Sequence, residues 1–388
     1  MNDKQILITG ATNGIGLAAA EALAALGANL AIVGRSKTRT RIASARIRTA
    51  AGRGATVATF IADLSSQASV RRLAAEVLAR YPKLEVLVNN AGAMYGTRQL
   101  TKDGIELTWA VNHLAPFLLS KLLLHRLKES APARIITTAS QAHQGAHIPF
   151  DDLNAQRSYR GFGRYCETKL ANILFTTELA RRLDGTGVTA NCFHPGLVAT
   201  GFNRNNGLLV DLGMAILRPV SRIPEKGAET LVWLATSPDV ANVSGGYFFD
   251  QEQRPPSPEA QDRETARRLW EISERQCAVS GRSARSPLMD SPSKAGVCEG
   301  CVRDRGLCCS RSGGWPPPKR STSPFHQAAG VTYPRRRGDR VRRREFITLL
   351  GGAAAWPFPA RAQQPALAVF VARRSHRSCM SWGHSSQV

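Results

Sequence analysis

Tyr165 and Lys169 stand four residues apart in Tyr165-Cys166-Glu167-Thr168-Lys169, which puts both on one face of a helix. A phenol beside an ammonium suits proton transfer to or from an oxygen whose carbon gains or loses a hydride. A free phenol, with a pKa of about 10, is a poor base at neutral pH, and the neighbouring ammonium is expected to lower it. Ser140, closing Thr137-Thr138-Ala139-Ser140, offers a hydroxyl to orient the reacting oxygen. Asn112, in Val111-Asn112-His113, interrupts a mostly apolar helical stretch, and its amide is expected to hold a water that links Lys169 to solvent. Singly, each residue has an ordinary reading as an exposed or capping side chain. All four in this order point to a hydride-transfer catalyst.

Such chemistry needs a carrier, and Thr9-Gly10-Ala11-Thr12-Asn13-Gly14-Ile15-Gly16 is placed to hold one. Glycines let the backbone turn tightly against a pyrophosphate, and a following helix N-terminus stabilises the phosphates. The spacing is Gly-x-x-x-Gly-x-Gly, not the Gly-x-Gly-x-x-Gly dinucleotide fingerprint. Gly10, Thr12, Asn13, Gly14, Ile15 and Gly16 are therefore cofactor candidates. Where a carboxylate after the second strand would select NAD, the sequence has Gly34, Arg35 and, close behind, Lys37. A guanidinium matches a 2′-phosphate in charge and in fork geometry, so NADP(H) is expected, with NAD as the lesser alternative. Asp63, with Leu64 beside it, is expected at the adenine edge; Asn90, Ala91 and Gly92 belong to a strand end too polar for burial unless its amides hold neighbouring backbone or the cofactor. His113, His143, His147 and His194 lack metal-ligand spacing, so no metal is expected.

These residues imply a particular scaffold. Short apolar runs at 4–9, 29–33, 55–61, 84–88, 133–138, 187–193 and 246–249 alternate with helical patterns near 14–26, 37–51, 66–80, 101–128, 163–183 and 225–236. The alternation predicts an α/β fold: a doubly wound, Rossmann-type parallel sheet that binds ligands at the carboxyl ends of its strands. A further helix is expected at about 259–275.

The motif series Thr9–Gly16, Asn89–Gly92, Asn112, Ser140, Tyr165/Lys169 and His194-Pro195-Gly196 followed by Thr200 resembles that of the short-chain dehydrogenases, over roughly residues 1–276. Within that family Val111-Asn112-His113-Leu114, the insert 141–163, Tyr165-Cys166-x-x-Lys169-Leu170-Ala171-Asn172 and the segment from Gly246 to Trp270 look like the retinol-dehydrogenase-like and WW-domain-oxidoreductase-like group. The resemblance implies NADP and an Asn112/Ser140/Tyr165/Lys169 tetrad. It also implies cofactor contacts from Tyr165, Lys169, Pro195, Gly196 and Thr200, and an apolar alcohol, aldehyde or ketone as substrate. The animal enzymes usually carry a membrane anchor ahead of the first strand, and no such segment stands before Ile6 here. A substrate lid or a core helix is expected after Gly196. There Leu208, Leu209, Val210, Met214, Ile216 and Leu217 are apolar, and Gly201, Gly207 and Gly213 loosen the backbone. Leu170, Ile173, Leu174 and Leu179 offer more apolar surface than one sheet face covers, so a homodimer through the helices at 101–128 and 163–183 is expected, partly by family analogy.

Charge divides the chain. Residues 1–277 hold 33 Lys and Arg against 24 Asp and Glu, whereas 278–388 hold 19 against 5. The excess thus lies mainly in a Ser-, Arg-, Gly- and Pro-rich tail, and it is no argument for nucleic-acid binding by the first part. Two domains follow: an NADP-binding unit over 1–277, and a basic tail over 278–388 expected to be disordered and without function. Cys298-x-x-Cys301 and Cys308-Cys309 do not complete a zinc set. Residues 343–362 resemble a twin-arginine export signal, set where no leader can act. The expected partner is a small-molecule substrate, with no nucleic acid and no membrane. Three scattered cysteines in the first part and no uninterrupted apolar run of spanning length fit a cytoplasmic protein. A non-catalytic NADP-binding redox sensor is the competing class; it would need the glycine loop but not Tyr165 and Lys169.

Overall fold

The computed structural model describes residues 1, 3–52, 54–198 and 221–279. Thr200, the rest of the segment expected to form a lid, and the tail beyond 279 lie outside the described residues.

Strands β1 (Gln5–Thr9), β2 (Asn29–Gly34), β4 (Val86–Asn89), β5 (Ala133–Thr138) and β6 (Val188–Phe193) are buried almost end to end. Burial on both faces, rather than alternation, is what a parallel sheet covered by helices requires. With β3 (Val57–Ile61), β7 (Tyr247–Phe249) and β8 (Glu252–Gln253) they form one sheet in the order β3-β2-β1-β4-β5-β6-β7-β8. Every neighbouring pair is parallel except β7 and β8. Strand order reverses between β1 and β4, which opens a crevice at their carboxyl ends.

Alternate side chains feed two cores. Ile6, Ile8, Val88 and Ile136 face α1 (Gly14–Ala25), α2 (Lys37–Ala50) and the Pro224–Thr236 helix. Leu7, Leu87, Ile135 and Ala190 face α3 (Gln67–Arg80), α4 (Leu107–Trp109), α5 (Ala115–Glu129) and α6 (Gly161–Arg182). The Pro224–Thr236 helix is α7, and α8 (Arg263–Val279) closes the second layer. A π turn, Ala110–Leu114, joins α4 to α5. The continuous helix Leu107–Glu129 is long and apolar enough to span a bilayer by composition, but 72% of its apolar window is buried within the fold.

Two boundaries differ from the periodicity reading. The helix expected at 101–128 starts only at Leu107, because Thr101 N bonds Ile105 O at 2.8 Å in a turn that Glu106 then converts into a helix cap. The last helix runs past 275 to Val279. Gln67 Nε2 and Arg71 Nη2 take its terminal carbonyls at Gln276 and Cys277, at 3.0 and 2.6 Å, and so satisfy groups a helix end leaves open. Leu170, Ile173, Leu174 and Leu179 are at most 1% exposed within the chain itself. Leu269 and Trp270 of α8 share their core, with Trp270 edge-on to Phe117 at 4.9 Å and stacked on Phe175 at 6.1 Å. The apolar surface named for a dimer is packed within this core, α8 included.

Candidate active site

The turn after β1 is built for close approach. Gly10 has φ +70°, and a Cβ there would lie 2.8 Å from the Ala91 Cα; a Cβ on Gly16 would lie 2.4 Å from both Asn90 Nδ2 and Gly10 O. Asn90 is the reason for this tightness. Its Nδ2 donates to Thr9 O at 3.1 Å, and its backbone N donates to Thr9 Oγ1 at 3.0 Å. Ala91 N reaches the same hydroxyl at 3.1 Å, and Thr138 Oγ1 donates to Asn90 Oδ1 at 3.3 Å. The polar end of β4 thus knits the glycine turn to β5. The N-terminus of α1 has no side-chain cap at Asn13 and no acidic residue in its first turn. Open N–H groups above a glycine cradle fit a dinucleotide pyrophosphate. Thr12 reaches across to the second strand: its Cγ2 is 2.6 Å from where a Gly34 Cβ would be.

Arg35 is exposed at the carboxyl end of β2 and takes part in no ion pair among the described residues. Lys37, also exposed, opens α2 behind it. Asp63 is exposed at the end of β3, with one carboxylate oxygen accepting from Ser65 N and Oγ at 3.0 and 2.8 Å. Leu64 packs partly into the core beside it, and Ile15 does the same at the start of α1. Pro195 and Gly196 follow β6, and Gly196, with φ +80°, leaves room for Arg222, whose Nε would be 2.8 Å from a Cβ there. These candidates all stand at strand ends on the crevice side; Thr200 is outside the described residues.

Ser140, Tyr165 and Lys169 come together beside this cradle. Lys169 is 3% exposed; its Nζ donates to Thr138 O at 3.0 Å and lies 5.4 Å from the centre of the Tyr165 ring. Burial pushes the phenol up to about 12, against a lowering hydrogen bond from Ser140, and pushes the ammonium down to about 8. The net shift of the phenol in the free protein is thus upward, with burial as its largest cause. Low-dielectric surroundings disfavour both charged forms. Gly92 completes the corner, with Lys169 Nζ 3.7 Å from the place of its Cβ.

Asn112 borders the same corner, with its Oδ1 3.4 Å from the place of a Gly92 Cβ. It is fully buried, and its side chain is spent on structure: Oδ1 accepts from Ala93 N at 2.8 Å, while Nδ2 donates to Ala93 O at 2.8 Å and Thr168 Oγ1 at 3.1 Å. The amide clamps the 91–93 strap against α6. The π turn beneath it widens the backbone where Asn112 sits, a distortion that often marks functional positions.

His143 was missed as part of this arrangement. Its Nδ1 lies 2.7 Å from Ser140 O and its Nε2 accepts from Ser257 N at 3.1 Å, which fixes the tautomer with hydrogen on Nδ1. Burial lowers its pKa, consistent with a neutral ring that pins the Ser140 turn to the 257 loop. Its place three residues after Ser140 was the available signal. No three-residue cluster able to hold a metal occurs among the described residues.

A family model for short chain dehydrogenase matches residues 4–208. Mouse retinol dehydrogenase 14 is 42% identical over 287 residues, covering 71% of this chain and 86% of that enzyme. Human retinol dehydrogenase 13 is 41% identical over 292 residues, covering 73% and 87%. Among solved structures, a protein from Mycobacterium Paratuberculosis superposes with a TM-score of 0.58 at 31% identity, covering 71% of this chain and 94% of that one. A short chain dehydrogenase from Burkholderia cenocepacia J2315 in complex with NADP gives 0.52 at 28% identity, covering 64% and 96%.

Proposed function

Because the chain belongs to the short-chain dehydrogenase family, whose members oxidise alcohols or reduce carbonyls with a nicotinamide cofactor, we propose that it transfers a hydride between NADP(H) and an apolar alcohol, aldehyde or ketone. The observation that carries the reading is the meeting of Ser140, Tyr165 and Lys169 beside the Gly10–Gly16 cradle at the strand-order reversal. NADP is favoured by Arg35, an exposed guanidinium with no ion-pair partner among the described residues, where a carboxylate would select NAD. The apolar substrate class is carried over from the retinol dehydrogenases named above.

In this reading the open N–H groups of α1 and the glycine turn hold the pyrophosphate, and Arg35 meets the 2′-phosphate. Bound there, the cofactor supplies or accepts the hydride. Ser140 holds the substrate oxygen by its hydroxyl. Tyr165, a phenol kept protonated by burial, gives its proton to that oxygen as the carbonyl is reduced, and takes one back in the reverse direction. Lys169 stands beside the ring to balance the phenolate that remains. The clamp of Asn112 on Ala93 keeps the strap above this corner in place.

The test is a matrix of purified protein with NADPH and NADH against apolar aldehydes (retinal among them), ketones and polar sugars. NADPH oxidation confined to apolar carbonyls supports the reading. Equal use of NADH would remove the NADP assignment, and binding of NADPH with no turnover on any carbonyl would leave only a cofactor-binding protein.

A further inference from the structure

A buried ion pair stands just behind this site. Arg164 Nε donates to Glu106 Oε2 at 2.8 Å, and the two side chains are 2% and 0% exposed. Glu106 also starts α4, accepting from Thr108 N and Trp109 N, each at 2.8 Å. The rest of the guanidinium reaches Glu167 Oε2 at 2.7 Å and the Leu153 carbonyl, and lies over the Trp109 ring at 4.7 Å. Tyr159 joins the cluster. Its hydroxyl donates to Tyr95 O at 2.8 Å and lies 3.2 Å from Thr108 Oγ1 and 3.4 Å from Glu106 Oε1.

Both ends of the pair lead to the catalytic set. Arg164 is the residue before Tyr165 in the first turns of α6. Glu106 caps the helix whose π turn carries Asn112. Asn112 in turn bonds Thr168 Oγ1, which donates to Tyr165 O at 2.7 Å. Tyr159 adds the 93–96 strap and the insert ahead of α6. A buried pair of this kind is weak as a stabiliser, because taking two charges out of water offsets most of their attraction. What it does supply is direction, since a guanidinium fork accepts only a narrow set of geometries.

We infer that Glu106 and Arg164 are positioning residues for Tyr165, fixing where its phenol stands between Ser140 and the strap without touching substrate or cofactor. The inference rests on the reading of Tyr165 as proton donor. A phenol displaced by about 1 Å loses on the order of a hundredfold in rate while the cofactor site is untouched.

The test uses the full chain with Arg164→Met, Arg164→Lys, Glu106→Gln and the milder Tyr159→Phe. Arg164→Met is expected to lower kcat by at least about thirtyfold with NADPH Kd within about twofold, and Arg164→Lys to recover part of the loss. The solvent deuterium isotope effect on kcat should rise, since proton transfer becomes slower. A variant that is only less folded loses active fraction and keeps the wild-type isotope effect. Cys166, half-buried beside Tyr165, serves as an activity-free reporter: iodoacetamide labelling followed by peptide mass spectrometry should run several-fold faster there in the variants, with buried Cys192 unchanged. If Arg164→Met does not fold, Tyr159→Phe, which keeps the ring, should still lower kcat by about threefold to tenfold. Unchanged kcat and isotope effect in a folded Arg164→Met or Tyr159→Phe, or unchanged Cys166 labelling, would overturn the inference. Full turnover in Tyr165→Phe would instead remove the proton-donor reading, and Cys166 labelling would still judge the pair.

Discussion

Lys169 should cost the free protein stability, and replacing it with methionine should return that stability while abolishing turnover. The ammonium is 3% exposed, so solvent screening gives it little relief. Its one described hydrogen bond is to Thr138 O, which also accepts from Asn172 Nδ2 at 3.3 Å and so keeps a partner in the variant. Burial lowers the group from 10.5 to about 8, which corresponds to about 3 kcal/mol against the charged form at this site. Below about pH 8 lysine is protonated in both the folded and unfolded chain, so the whole penalty is present at neutral pH. Between about 8 and 10.5 the unfolded chain binds more protons than the folded one, and wild-type stability rises until the penalty is gone. Lys169→Met should therefore be more stable than wild type by about 1 to 3 kcal/mol at pH 7, after allowing for the lost hydrogen bond. For a domain of this size that is roughly 2 to 12 °C in Tm. Urea unfolding of both proteins without cofactor at pH 7 and pH 10 would measure it. A variant less stable than wild type at pH 7, or a difference that does not shrink by pH 10, would refute the reasoning.

Tyr165→Phe keeps the ring and removes the proton, so kcat should fall by about two orders of magnitude or more while NADPH affinity, read by fluorescence titration, stays within about threefold. Arg35→Asp should lower the NADPH-to-NADH ratio of kcat/KM at least about tenfold, equal to about 1.4 kcal/mol; an unchanged ratio would assign the phosphate to Lys37 or another residue. Gly16→Ala drives a methyl into Gly10 O and Asn90 Nδ2, both 2.4 Å away. It should cost about 1 to 3 kcal/mol and weaken NADPH binding more than tenfold, with calorimetry and titration as the checks. A chain ending at Val279 should match the full chain in Tm and turnover. A chain ending before Arg263 should lose solubility, because it uncovers Leu170, Leu174 and Phe175; light scattering separates these outcomes.

The sheet was legible because β1, β2 and β4 carry short apolar runs and every strand is followed by a helical pattern, an alternation that implies parallel pairing. The site was legible because strand ends bring Gly10, Asn90 and Ser140 together, and those ends can be counted along the chain. Asn112 was read by type alone. A buried amide has several possible partners, and only the folded strap shows that Ala93 claims it in both directions. Glu106 and Arg164 escaped notice for a related reason: a carboxylate and a guanidinium 58 residues apart look like two surface charges until α4 and α6 meet. The role of α8 was hidden because an amphipathic helix announces that it will cover something, not what.

Helix α8 sets the order in which the described fold can assemble. Its fastenings span 206 residues from Arg71 to Cys277 and 209 from Gln67 to Gln276, among the most distant contacts in the described fold. Loop closure of that length makes such pairings late and slow. During synthesis the central strands and α6 emerge first, and Leu170, Ile173 and Leu174 stand bare on one side of a partly formed sheet until α8 arrives. A nascent chain in that state is sticky, and chaperones are the natural holders of such a face. Refolding from denaturant should accordingly be sensitive to protein concentration at its final step, where one molecule's unsealed flank can meet another's before its own helix docks.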